Sequence, residues 1–437
     1  MSGTYFRPGS GPESFDDLGA IIDSLEASRA RLVAATNEEL LELLADFGAR
    51  LLRSAGTMPL DGVMFLSAWL KRSNLEAMLD LNLGGRAEAL EGFVPVGRAG
   101  AADDGSPGTR LAARPHGLVS MWMAGNVPTL AAFSFVPALL ARNVCLVKLA
   151  DPDAAGMDAI LDVLAESAVP EASGPGISGA DLAACVAVLW YSSEERDLSE
   201  QMSSAADAKI VWGGQGAIEG VRALPQPAHC VNIDFGPKYS IGIIGSALLE
   251  QPGKLEDAVT AFARDIAIFD QRACSSPQTI FVERGALSLR QVGERFADAL
   301  GTLPPKPGLD SYTTVQIVNT RAEWALDEGR DVIASEDGAN WTVCLDEDVA
   351  FKEAIQSRTI FLTAVDSWRE VVPLISPRVQ TVGIALGDDA AAQDFATEAT
   401  LAGVVRCVRP GLMNVQESPW DGKLLINELV RWVTLKP

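Results

Sequence analysis

From residue 118 onward, short apolar runs rich in Val, Ile and Leu alternate with longer Ala-rich stretches whose apolar positions recur every three or four residues. LVSMWMA (118–124), VCLVKLA (144–150), VAVLWYS (186–192), KIVWGG (209–214) and CVNIDFG (230–236) have no polar face, so they read as strands covered on both sides. Residues 129–141 and 153–168 between them read as helices. Strand, helix, strand in this order predicts an α/β fold, a parallel doubly wound sheet with helices on both faces. A second α/β block follows. LEDAVTAFARDIAIFDQ (255–271) and LSLRQVGERFADAL (287–300) read as helices, and QTIFVER (278–284), VQTVGIAL (379–386) and GVVRCVR (403–409) as strands. Upstream, residues 14–55 and 60–83 repeat Leu, Ile and Ala at helical spacing, a packing layer in which Asn37 is the expected N-cap before Glu38 and Glu39. Residues 1–13 read as a polar arm, and 99–110, PEASGPGISG (170–179) and LPPKPG (303–308) as turn-rich connections. The expected organisation is an N-terminal helical region (1–98), a cofactor-binding domain (99–240), a catalytic domain (241–410) and a C-terminal segment (411–437).

Composition narrows what such a fold can do. The chain has 437 residues, enough for about two or three cores, with 48% hydrophobic and 21% charged positions. A formal charge of −23 argues against nucleic acid and anionic membrane surfaces, since both need basic patches. An anionic cofactor must then be held by local groups, such as helix N-termini and single lysines. MSGTYFRPGSGPESFDD has no apolar core, and no stretch of about 20 residues is continuously apolar, so neither a signal peptide nor a membrane span is expected. Six cysteines with no CxxC pair predict a reduced, cytoplasmic setting and no metal site.

Five of those cysteines, Cys145, Cys185, Cys230, Cys344 and Cys407, sit in or beside apolar runs, where a free thiol behaves as a small hydrophobe. Cys274 differs. In FDQRACSSPQTIF (269–281) its neighbours are Ala273, Ser275 and Ser276, which leave room for a substrate carbonyl. In parallel sheets ligands bind outside the carboxyl ends of strands. Here those ends carry Gly125-Asn126-Val127-Pro128, then Lys148 with Asp151, then Gly213-Gly214-Gln215-Gly216, then Asp234-Phe235-Gly236-Pro237-Lys238. Each has a plainer reading as well. Asn126 suits a turn, Lys148 a strand end with its charge in water, and the Gly cluster a tight strand-to-helix connection. Of the two histidines, His116 and His229, the second is expected to be a hydrogen-bonded core residue, with proton transfer beside Asp234 as its alternative.

RPHGLVSMWMAGNVP (114–128), LVKLAD (146–151), AKIVWGG (208–214), IDFGPK (233–238) and FDQRACSS (269–276), in this order, resemble the aldehyde dehydrogenase superfamily. The AGNVP turn, DQRACSSPQ, QTVGIA and the tail GVVRCVRPG…WDGKLLINELVRW are similar to one branch, the LuxC-type acyl-CoA reductases of bacterial bioluminescence; the resemblance runs from about Arg114 to Trp432. It implies the aldehyde dehydrogenase fold, with Cys274 as nucleophile and Asn126 as donor to the oxyanion, together with the Cys274 backbone N–H. It places Lys148 on the adenosine ribose or its 2′-phosphate, and Gly214 and Gln215, with Gly213 before them, near the pyrophosphate. Asp234 stands where the dehydrogenases carry their water-activating glutamate, one methylene shorter, and is counted with the cofactor-binding residues. The Glu-x-Phe-Gly-Pro motif has no clear match in SRTIFLTAVDS. The implied activity is reduction of an acyl-CoA or acyl-carrier-protein thioester to an aldehyde with NADPH. NADH is the alternative, because Asp151 suits a free ribose 2′-hydroxyl. Rival readings are a hydrolytic aldehyde dehydrogenase, an acyl-phosphate reductase and a non-catalytic scaffold subunit. A homo-oligomer is left open.

Overall fold

The apolar runs form the central strands of two separate seven-stranded sheets in the computed structural model. It describes residues 3–56, 58, 62–96, 108–151, 156–169, 176–304, 306, 308–336 and 338–437. One unit comprises Met1–Gly236 and Gln416–Pro437, the other Pro237–Val415.

The first unit contains strands β1 (Gly3–Arg7), β2 (Ser10–Phe15), β3 (Val94–Pro95), β4 (Arg110–Pro115), β5 (Leu118–Trp122), β6 (Val144–Lys148), β7 (Val186–Trp190), β8 (Ala208–Trp212) and β9 (Val231–Phe235). Its large sheet has the order β2–β1–β7–β6–β5–β8–β9, parallel from β7 to β9. Helices α1 (Gly19–Ala34), α2 (Asn37–Ser54), α3 (Val63–Trp69), α4 (Arg72–Leu83), α5 (Leu130–Leu140), α6 (Met157–Ala165), α7 (Gly179–Ala183), α8 (Arg196–Ser204) and α9 (Gln215–Arg222) complete it. A single apolar core joins Leu40, Phe47 and Leu66 of the N-terminal helices to Phe133, Leu146 and Val188. The helical region expected over 1–98 is therefore continuous with the first sheet.

Several expectations need correction. The arm expected over 1–13 is a β-hairpin. Phe6 is buried, Tyr5 and Phe15 pack on the same core, and β1 pairs antiparallel with β7, which closes that sheet edge. The N-cap of α2 is Thr36, not Asn37. The Thr36 hydroxyl accepts from the Glu39 N–H at 3.2 Å and the Glu39 carboxylate accepts from the Thr36 N–H at 2.7 Å, a capping box that Asn37 is one residue too late to make. The helix expected over 60–83 is broken into α3 and α4 at Leu70 and Lys71. Residues 59–61, 99–107, 153–155, 170–175, 305 and 307, which include parts of the expected loops and helix starts, lie outside the described residues.

The second unit contains β10 (Tyr239–Ile244), α10 (Ser246–Leu249), α11 (Pro252–Ala267), β11 (Pro277–Glu283), α12 (Leu289–Gly301), α13 (Ser311–Leu326), β12 (Arg330–Ala334), β13 (Thr342–Asp346), β14 (Thr359–Val365), β15 (Val379–Ala385), α14 (Asp389–Leu401) and β16 (Arg406–Val408). Its sheet order is β12–β13–β14–β11–β10–β15–β16, parallel throughout except for β12 against β13. β10 passes under α11 at Gly242, where a Cβ would lie 2.7 Å from the Phe262 ring, so only glycine lets the helix settle onto the strand. The chain then returns to the first unit through α15 (Leu425–Glu428) and β17 (Val430–Leu435), which pairs antiparallel with β4 in a three-stranded sheet. Among the described residues no helix is long and apolar enough to cross a membrane.

Candidate functional site

Because β5, β6, β8 and β9 run parallel, their carboxyl ends share one rim of the first sheet. Trp122 and Lys148 are register partners there, and Trp212 stacks on Phe235 with ring centroids 3.8 Å apart. At the opposite, amino end of β5 stands Gly117, at φ 142°. Its Cβ would fall 1.9 Å from a carboxylate oxygen of Asp207, which accepts the Leu118 N–H at 2.8 Å. Asn126 lies half-buried in the turn between β5 and α5. α5 is buried along its whole length, so the turn is fastened to a rigid element. The Lys148 ammonium lies 4.8 Å from the Tyr191 ring centroid and donates to the Leu149 carbonyl at 3.4 Å, and burial draws its pKa below that of a free lysine. Asp151, three residues on, is exposed.

Gly213 and Gly214 form the strand-to-helix turn after β8. The Gly213 N–H donates to the Phe235 carbonyl at 3.2 Å, and Gly214 is the N-cap of α9. Gln215 is the first helical residue, and its side chain donates to Glu219 at 2.7 Å, outside the turn. The first N–H groups of α9 have no partner within the helix, the usual setting for an anion. Asp234 is the penultimate residue of β9. Arg222 of α9 donates to one of its carboxylate oxygens at 2.7 Å, and Lys209, buried in β8, adds a second cation near it. Sequence reading passed over Lys209, whose ammonium is buried and lies 5.9 Å from the Trp122 ring centroid. His229 is not a core residue and does not serve Asp234. Its side chain is 69% exposed and its Nε2 lies 3.0 Å from Asp207.

In the second unit Cys274 lies between the end of α11 and the start of β11, as its sequence context predicted. The approach is strained. Phe269, Asp270 and Gln271 have φ of 54°, 50° and 65°, and Gln356, Ser357 and Arg358 form a second left-handed stretch at 65°, 55° and 56°. Non-glycine residues in this region cost about 1–3 kcal/mol each and persist only where their surroundings hold them. Here the surroundings are polar. The Ser357 N–H donates to the Asp270 carbonyl at 3.0 Å and its hydroxyl to the Asp270 carboxylate at 2.9 Å. The Gln271 amide donates to the carbonyls of Pro277 and Thr359 at 2.8 and 3.0 Å, and the Gln278 amide returns to the Gln271 carbonyl at 3.1 Å. Ser240 of β10 donates to the Cys274 carbonyl at 2.7 Å.

Cys274 is half-exposed. The other five thiols are poorer nucleophile candidates, because burial pushes each of them up, to about 11 for Cys185 and Cys407 and about 12 for Cys344, with Cys145 and Cys230 raised as well. All six cysteines are free thiols. Sequence reading missed the residues that hold the Cys274 turn, Ser240, Gln271, Gln278 and Asn414. One signal was present: Asp265 is an acid on the apolar face of α11, between Phe262 and Ile266.

The model of the family described as Acyl-CoA reductase (LuxC) matches residues 22–432. The chain belongs to this family. Among characterised relatives it is 27% identical over 310 residues to the long-chain acyl-protein thioester reductase of Aliivibrio fischeri, 69% of this chain and 60% of that one. It is 26% identical to long-chain acyl-protein thioester reductase 2 of Photobacterium leiognathi, over 74% of this chain and 64% of that one. This acyl-CoA reductase family member thus matches less than two thirds of the length of either relative. Its fold is that of the aldehyde dehydrogenases. An NAD-dependent benzaldehyde dehydrogenase from Corynebacterium glutamicum has a TM-score of 0.65 at 16% identity, over 100% of this chain and 95% of that one. Aldehyde dehydrogenase 21 from Physcomitrella patens has a TM-score of 0.68 at 14% identity, over 95% and 89%.

Proposed function

We propose that this chain reduces an acyl thioester, carried by coenzyme A or an acyl carrier protein, to an aldehyde through an acyl-enzyme on Cys274. The observation that carries the reading is the Cys274 turn, where a half-exposed thiol is held at the head of β11 while burial raises the other five. Family membership and the names of the thioester-reductase relatives support it.

In this reading the Cys274 thiolate adds to the thioester carbonyl. The Cys274 N–H donates to the oxygen that becomes negative, and the family resemblance assigns the side-chain amide of Asn126 to the same role. The carbon–sulfur bond to the carrier breaks, the carrier leaves as a thiolate, and the acyl group remains on Cys274. A reduced nicotinamide, when bound, supplies the hydride that the acyl carbon accepts. The oxyanion then re-forms a carbonyl, expelling the Cys274 thiolate and releasing aldehyde. The first unit has groups suited to such a dinucleotide. The N-terminus of α9 behind Gly213, Gly214 and Gln215 suits a pyrophosphate, and Lys148 suits the ribose or a 2′-phosphate. We assign NADPH as donor on Lys148, with NADH as the competitor that Asp151 favours. Asp234 would border the cofactor. Its short side chain already holds Arg222, which leaves it ill placed to hold a hydrolytic water. Six free thiols suit a reducing cytoplasm.

The test is aldehyde formation by the purified chain from a panel of acyl-CoAs with NADPH or NADH, set against NAD⁺ reduction with the matching aldehydes. Aldehyde produced in step with cofactor oxidation, and a mass increase of one acyl group on Cys274, support the reading. Acid release without cofactor, or acylation at Cys230 or Cys344, overturns it.

A further inference from the structure

We infer that Asp265 and Asn414 are positioning residues for Cys274, acting through a hydrogen-bonded bracket from the end of α11, across the 409–414 loop, to the two hydroxyls that follow the thiol. The inference rests on the reading of Cys274 as nucleophile.

The bracket is traceable atom by atom. Asn414, 1% exposed, donates from its side-chain nitrogen to the Asp265 backbone carbonyl at 2.9 Å. That donation fixes which end of the amide points at the nucleophile turn, since only the nitrogen can serve a carbonyl. The amide oxygen accepts from the Ser275 hydroxyl at 2.7 Å and the Ser276 hydroxyl at 3.3 Å. Asp265, fully buried, fastens the far side. Its carboxylate accepts from the Gly411 N–H at 2.6 Å, and the N–H groups of Met413 and Asn414 face it. Arg406 of β16, the cation that faces Asp265, donates to the carbonyls of Leu412 and Met413 at 2.9 and 2.8 Å. On the other side of the thiol, Ser240 donates to the Cys274 carbonyl and accepts the Thr381 N–H at 3.1 Å. The residue before Ser275 is therefore held on both sides, by groups from β10, α11 and the loop after β16.

Packing alone does not call for this arrangement. A leucine at position 265 would fill the apolar face of α11 without burying a charge. A buried hydrogen-bonded network instead selects one geometry for the groups it joins, here through Asp265 Oδ2, while Oδ1 of the same carboxylate makes no hydrogen bond. The network is also tied to pH. Burial lifts the Asp265 carboxyl to about 6, against the pull of the N–H groups and Arg406. Protonation removes the negative charge that the Gly411, Met413 and Asn414 N–H groups and Arg406 face, which weakens the hold on the 409–414 loop and on Asn414 with it. The other titrating group joined to the bracket is Cys274 itself, whose ionisation adds a separate step to any rate profile.

Alkylation of Cys274 by iodoacetamide in the full-length chain, mapped by mass spectrometry over about pH 5 to 9, reads thiol reactivity without substrate or cofactor. Asn414→Ala should slow it by about tenfold or more, and in the reductase assay should lower kcat while leaving KM within about twofold, since misplacement of a reacting group by about 1 Å suffices for such losses. The natural chain should show a step near pH 6, and Asp265→Asn should remove it. Ser275→Ala should slow alkylation and Ser275→Thr, which keeps the hydroxyl, should restore it. Wild-type alkylation rates and pH profiles in the folded Asn414 and Asp265 variants overturn the inference. If either variant does not fold, equal reactivity of Ser275→Ala and Ser275→Thr overturns it. Altered alkylation with no aldehyde from any thioester would leave the bracket standing and remove the reductase reading instead.

Discussion

In the proposed reaction two side chains carry the chemistry at the scale of single residues. Cys274→Ala should abolish aldehyde formation, and intact-mass measurement after incubation with acyl-CoA should show no acyl adduct. Asn126→Ala should lower kcat by about 10²–10³-fold with a much smaller change in KM, as for other oxyanion donors. Steady-state kinetics on a variant with a native circular dichroism spectrum checks this, and full turnover would return Asn126 to a turn-forming role. Asp234→Asn should leave reduction largely intact, because Arg222 already occupies the carboxylate. Lost reduction together with lost thioester hydrolysis would mark Asp234 as a working base. Asp265 gives a stability prediction as well. Its carboxyl is raised from 3.8 to about 6, so the folded chain holds the proton more tightly than the unfolded one. Asp265 therefore opposes folding fully above about pH 6, and that penalty fades as pH falls toward 4. The stability difference between the natural chain and Asp265→Asn should therefore shift in favour of the natural chain, by up to about 3 kcal/mol, between neutral pH and about pH 4, as read by urea melts at both pH values. The turn that carries Cys274 between a helix and a strand was legible because its residues are small and polar. Asn414 was not, since its partners lie about 140 to 150 positions away and nothing local marks it.

Elements were legible where burial was uniform. β5 to β8 were found because strands covered on both faces read as unbroken apolar runs, whereas β9 alternates, with Asn232 exposed between Val231 and the buried Ile233. The hairpin of β1 and β2 was hidden because Arg7, Pro8 and Gly9 resemble a loose polar terminus, and the strand pairing that orders it comes from β7. α13 was missed because Thr, Val and Asn dilute its helical signal; it is held by tertiary packing through Ile317 and Trp324. Thr36 was overlooked as a cap because Asn37, beside it, is equally suited by type, and only the position of Glu39 decides between them. Thr36→Ala should destabilise the first unit by about 1 kcal/mol in urea unfolding, while Asn37→Ala, which removes donations to Ala87 and from Arg142, tests a different set of bonds. Gly242→Ala should cost more than Thr36→Ala, because the added methyl meets the Phe262 ring and the helix above has no slack.

For the molecule as a whole, the alternation of strands and helices was sufficient for the fold class, and five ordered motifs for the family. The unit boundaries were not readable, because the first unit is discontinuous and no composition change marks residue 416. That discontinuity has a consequence for how the protein is made. β17 pairs along all of β4, and Trp420 joins Trp69, Phe133 and Trp212 in one aromatic cluster, so the first unit is finished by residues that follow the whole of the second unit in the chain. The second unit, continuous from Pro237 to Val415, has all its strands before then. During synthesis the thiol-bearing unit can settle while the unit coded ahead of it still waits for its closing strand. A premature stop near residue 416 should therefore spare the later-coded unit and expose the earlier one to proteases.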